Sequence, residues 1–72
     1  MYKRQMLTDH DKKIINLAKR YPRWSGAMDA AINDELGMTS AAYFQRLIYL
    51  SRQPEAIEYD PVTMNRVRGW RG

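Results

Sequence analysis

Proline stands at positions 22, 54 and 61 of this 72-residue chain, and glycine at 37. Proline disfavours helical geometry in the residue before it, and glycine readily takes the left-handed conformation that ends a helix. The chain is therefore cut into short pieces. Between the cuts no stretch alternates apolar and polar residues for long, so strands are not expected. No apolar run approaches the roughly 18 residues of a membrane span. The expected fold is all-α: a small helical bundle of four short helices in a single domain over 1–72, with 1–7 as a flexible N-terminal arm.

The first helix begins at Thr8. Thr8 and Asp11 have capping-box spacing, and Asp9 and Asp11 suit the positive end of a helix. Ile14, Leu17, Ala18 and Tyr21 share one face, with Lys12, Asn16, Lys19 and Arg20 opposite. Pro22 ends this helix near Tyr21. Ser25 is an N-cap for a second helix over 26–36, with Ala27, Ala31, Ile32 and Leu36 facing inward. Gly37 is placed as the left-handed residue past its end. Thr39 or Ser40 caps a third helix that runs to about Arg52. Residues 54–57 are expected to form a single turn with Ile57 as an apolar plug. Asp60-Pro61 is an N-cap followed by proline at N1, which starts a last helix over 61–70. There Thr63, Met64, Val67 and Trp70 share a side. The expected core is Ile14, Leu17, Tyr21, Ile32, Leu36, Tyr43, Leu47, Leu50 and Val67.

Composition narrows the function classes. The absence of cysteine excludes a disulfide framework, a cysteine zinc site and a thiol nucleophile. One histidine, His10, and no cysteine argue against a transition-metal site. Asp29, Asp34 and Glu35 are acidic neighbours, but acid–base work needs a cleft to shift their pKa values. They read as a solvated face. The chain is accordingly expected to be no enzyme and to carry no cofactor. Residues 1–5 are basic without a following apolar signal core, so the expected location is the cytoplasm.

The formal net charge is +4 and it is uneven. Residues 1–24 hold seven basic and two acidic side chains, 25–60 hold two basic and six acidic, and 61–72 hold three arginines. Basic ends of this kind are compatible with a polyanion partner.

The segment 31–50 reads AINDELGMTSAAYFQRLIYL. A helix ends in Leu36-Gly37, Met38 plugs inward and Thr39 caps the next helix, which is the layout of a helix-turn-helix. The same layout also serves as a plain αα corner. In the third helix, Tyr43, Leu47 and Leu50 form the core stripe. Ala41, Gln45, Ile48, Tyr49 and Arg52 fall on the other side. In a major groove, Gln45 suits adenine, Ala41 a thymine methyl, and Arg52 guanine or a phosphate, with Tyr49 also facing the bases. Lys12, Lys13, Lys19, Arg20, Arg23, Arg66 and Arg68 are the candidate phosphate contacts. Ile48 and Tyr49 are large apolar groups on an outer face, which implies cover by the last helix, a second subunit or a partner protein. Trp24 and Trp70, as the two largest apolar groups, read as core rather than as stacking platforms.

Trp24, Gly26-Ala27, Ala31-Ile32, Gly37-Met38-Thr39, Tyr43-Phe44-Gln45, Leu47, Leu50, Pro54-Glu55-Ala56 and Asp60-Pro61 form an ordered set. This set resembles the DUF3263 family, small actinobacterial and actinophage proteins of unknown function. The resemblance covers roughly residues 8–71 and implies a helix-turn-helix-like fold. Here Met28 stands where the family pattern has lysine, Arg46 at a usually apolar position and Ile48 at a usually polar one. The basic C-terminal tail is also shorter.

Two readings follow. One is a small DNA-binding protein, a phage or actinobacterial transcriptional regulator that reads duplex DNA with helix 40–52, alone or as a homodimer. The other is a phage-encoded interaction protein that binds and modulates a host protein through Ile48 and Tyr49.

Overall fold

The breaks read from proline and glycine are breaks in the structure, a computed structural model that describes residues 7–69. The described residues form five helices: α1 (Asp9–Arg20), α2 (Gly26–Leu36), α3 (Ser40–Leu50), α4 (Pro54–Tyr59) and α5 (Pro61–Arg68). None of the described residues forms a strand. None of their helices is long and apolar enough to cross a membrane.

Four of the five helix starts are capped by a side chain. Thr8 Oγ1 accepts from the Asp11 N–H at 3.0 Å, Ser25 Oγ from Met28 at 3.2 Å, Thr39 Oγ1 from Ala42 at 3.2 Å and Asp60 Oδ1 from Thr63 at 3.2 Å. Each satisfies one of the orphan N–H groups of a helix start. Gly37 has φ 64° and ψ 28°. Its N–H reaches the Asn33 carbonyl at 3.0 Å, and Met38 N–H reaches Ile32 at 3.4 Å. A side chain at Gly37 would meet no neighbour, so its backbone conformation alone accounts for glycine there. The turn Gly37-Met38-Thr39 thereby joins α2 to α3 in three residues, with Met38 packed against the core.

Residues 54–59 form a helix of their own, where a single turn was expected. Pro54 presets the first turn, and Asp60 N–H bonds the Ala56 carbonyl at 3.0 Å. Asp60 thus closes α4 with its backbone and opens α5 with its carboxylate. Ala56 is fully buried and Ile57 partly so.

The core centres on α1, which packs against α2, α3 and α5. With neighbours on three sides, α1 buries a wider arc than one apolar stripe: Ile15 and Ala18 are buried alongside Ile14 and Leu17. Of the nine expected core residues, Ile14, Leu17, Ile32, Tyr43, Leu47, Leu50 and Val67 are buried, whereas Tyr21 and Leu36 only flank the core. In α2 the inward position is Met28, fully buried, and Ala27 is exposed. Met28 lies three and four residues before Ala31 and Ile32, so all three fall on one arc, centred about 90° from Ala27. Met64 completes the core from α5.

Trp24 departs most from expectation. It is 42% exposed, lying edge-on to Phe44 at 5.3 Å and tilted over Tyr43 at 6.5 Å. A chain this short has too small an interior to enclose every large ring, so Trp24 caps the core from outside. The expected N-terminal arm lies outside the described residues except for Leu7, which packs against the core rather than swinging free. Trp70 also lies outside them.

Candidate nucleic-acid interface

The inner face of α3 is anchored at its centre. Tyr43 is fully buried and its hydroxyl donates to the Ile14 carbonyl of α1 at 2.8 Å. Burial pushes the Tyr43 pKa well up, and the charge of Arg20 offsets this only in part, so the phenol stays a donor. Leu47 and Leu50 continue the same stripe.

At about 100° per residue, Ala41, Gln45 and Ile48 lie opposite that stripe, Arg52 follows in the turn after α3, and all four are exposed. Ile48 is 38% exposed and Tyr49 43%. Tyr49 sits toward one flank, under the guanidinium of Arg46 at 4.8 Å from its ring centre. Ile48 is therefore the one large apolar group at the middle of this strip.

Arg46 also ties α3 to the start of α1. Its Nε and Nη2 donate to the two carboxylate oxygens of Asp11 at 3.0 and 3.1 Å. Asp11 is almost fully buried. Burial raises its pKa, but the hydrogen bond and charge of Arg46, with further bonds from Thr8, outweigh that and hold the carboxyl below its usual range. The Asp11 bond raises the Arg46 pKa in turn. Sequence reading placed Asp11 at the capping position only; its partner lies 35 residues away, and the one hint was an arginine at a usually apolar position.

The basic residues divide into two sets. Besides Arg46, three arginines have hydrogen-bond partners among the described residues. Arg20 meets Glu35 of α2 at 2.7 Å. Arg66 donates to the Ala18 carbonyl of α1 at 2.8 Å, and its buried Nε has no partner among the described residues. Arg68 donates to the Ser51 carbonyl at 2.9 Å and to Asn65 Oδ1 at 3.2 Å. That contact brings Arg68 to the C-terminal end of α3, beside Arg52. The second set is Lys12, Lys13, Lys19 and Arg23, exposed and without an ion pair among the described residues.

The three lysines do not gather around the outer face of α3. Asp11 and Ile14 of α1 meet Arg46 and Tyr43 of α3, so the two helices touch along those sides. On α1 the side opposite Asp11 and Ile14 carries Asp9, Lys12, Lys13 and Asn16. On α3 the side opposite Tyr43 and Arg46 carries Ala41, Gln45 and Ile48, with Arg52 in the turn that follows. Two helices in contact turn such sides away from each other. The acidic residues also take distinct places. Asp29 accepts from Ser40 Oγ at 2.7 Å, at the N-terminal end of α3. The N-terminal end of the outer strip thus has a carboxylate near it, and the C-terminal end has Arg52 and Arg68.

Among the described residues no group of three or more His, Cys, Asp or Glu could hold a metal ion. An open groove of about 560 Å³ runs between α1 and α2, lined by Lys13, Asn16, Leu17, Arg20, Glu35 and Leu36.

No curated protein and no solved structure matches the chain significantly. The sequence profile of DUF3263, described as a protein of unknown function, matches residues 6–72. The match spans all five helices and the turn that joins α2 to α3, and the chain belongs to the DUF3263 family.

Proposed function

We propose that this protein binds duplex DNA through the outer face of α3, in the manner of a small phage or actinobacterial transcriptional regulator. The observation that carries the reading is the exposed strip Ala41–Gln45–Ile48–Arg52. It stands opposite a fully buried stripe and directly after a tight three-residue turn, as a helix-turn-helix requires. Gln45 is the reader of a base edge. Arg52 and Arg68, at the C-terminal end, are the phosphate contacts on this side. Asp29 beside the N-terminal end repels phosphate, so the C-terminal half of α3 makes the approach.

The test is fluorescence anisotropy with a mixed-sequence duplex at low and physiological salt. Affinity should fall steeply as salt rises. Arg52→Ala should weaken binding to every sequence and flatten the salt slope by about one, whereas Gln45→Ala should act at one base pair. A monomer that binds no duplex even at low salt would overturn the reading.

A second reading, a protein partner, is favoured by one observation: Ile48 and Tyr49 are neighbours and both are more than a third exposed. Groups of this kind anchor protein interfaces. The double change Ile48→Ser and Tyr49→Ser separates the cases. Intact folding and DNA binding with loss of a host-protein contact favours this reading. Loss of a concentration-dependent dimer in sedimentation points instead to a homodimeric reader of DNA.

A further inference from the structure

We infer that the outer face of α1 is a second duplex-binding surface, so that one molecule can hold two duplexes on different faces. The inference rests on the duplex-binding reading of α3 and adds a separate site to it.

Lys12, Lys13 and Lys19 are exposed on α1 and have no ion pair among the described residues. The carboxylate of Glu35 is paired with Arg20, and Asp9, exposed one turn before Lys12 and Lys13, leaves this face of α1 with an excess of two positive charges once Lys19 is counted. Lys12 to Lys19 covers about 10 Å of helix axis at 1.5 Å per residue. Phosphates recur every ~3.4 Å along each strand, so three lysines at this spacing match several phosphates of one duplex. Between the lysines lies a wet polar surface. Tyr59 of α4, 42% exposed, donates to Asn16 Oδ1 at 3.1 Å, and its ring lies 6.0 Å from the Lys12 ammonium. These groups give backbone contacts with no base-reading geometry, so this face binds without sequence preference. A duplex seated on Gln45, Ile48 and Arg52 meets a different face of the molecule from Lys12 and Lys13, with Lys19 on the flank of α1. The occupant of the α1 face is therefore the phosphate backbone of a second duplex.

Bridging is read by immobilising one duplex on beads and measuring how much of a second, labelled duplex is retained. Single-duplex affinity is measured by anisotropy, and oligomeric state by sedimentation at the same concentration. The wild-type monomer is expected to retain the labelled duplex. The triple variant Lys12→Gln, Lys13→Gln, Lys19→Gln is expected to lose at least ten-fold in retention and less than three-fold in single-duplex affinity. All three side chains are in water, so the fold should be kept, as circular dichroism checks. Lys19→Gln alone supplies a milder variant with a partial loss. Three phosphate contacts imply that the α1 contact weakens about 40-fold between 50 and 200 mM salt. A wild type that binds duplex but retains no second one overturns this inference and leaves the α3 reading standing. Retention by the triple variant equal to wild type, or retention seen only for a dimer, also overturns it. A wild type that binds no duplex at all removes both.

Discussion

The inner and outer faces of α3 are built from alternating neighbours along eleven residues, yet different things hold them. Tyr43, Leu47 and Leu50 are packed on all sides and Tyr43 is bonded to the backbone of α1. Ala41, Gln45 and Ile48 touch water. Between the faces Arg46 spans the seam, one end on a buried carboxylate and its plane on Tyr49. The buried face fixes the position and rotation of the helix, so the exposed face is presented rigidly without contributing to stability. Substitutions on the two faces should therefore be separable: one side answers in unfolding experiments, the other in binding.

Leu47→Ala should give the largest effect, a loss of about 2–5 kcal/mol in urea unfolding, because it leaves a cavity in a fully buried stripe. In a domain this small that is a large fraction of the total stability. Its neighbour Ile48→Ala should change stability by less than about 0.5 kcal/mol, as exposed substitutions usually do. Equal costs at the two positions would break the comparison.

Asp11→Asn comes next, with a loss of about 1–3 kcal/mol, since the bidentate bond to Arg46 is lost inside the structure. The sign of its pH dependence follows from the direction of its pKa. The folded carboxyl titrates below 3.8, so its contribution is complete above that pH and is lost as the pH falls further. Acid unfolding followed by circular dichroism should lose that component in Asp11→Asn. An unchanged acid transition would show that Arg46 does not hold the carboxylate.

Gln45→Ala should leave unfolding unchanged and lower discrimination at one base pair by about 1–3 kcal/mol. Equal losses on specific and random duplex would remove its reading role. Glu35→Ala should give the smallest effect, no measurable change in the unfolding midpoint, because the Arg20–Glu35 pair is open to solvent and is screened.

Helix starts were legible because they depend on residues adjacent in sequence. Thr8, Ser25, Thr39 and Asp60 each cap the helix that follows them, and Gly37 ends α2. The outer strip of α3 was legible for a related reason: Ala41, Gln45 and Ile48 follow from helical periodicity once Tyr43, Leu47 and Leu50 are placed inside. Periodicity did less well where a helix has more than one neighbour. It missed Ile15 because α1 is surrounded, and it favoured Ala27 over Met28 because two arcs of α2 looked similarly apolar.

The local chain alone thus determined an all-α fold with its turns, caps and amphipathic faces, since those interactions span three or four residues. What each charge does was decided only by tertiary structure. Asp11 finds Arg46 across 35 residues, Arg66 finds the end of α1 across 48, and Arg68 finds the end of α3 across 17. Tertiary packing likewise turned the lysines of α1 away from the outer strip of α3. A charge in the sequence carries its sign but not its direction, and the direction comes from how the helices pack.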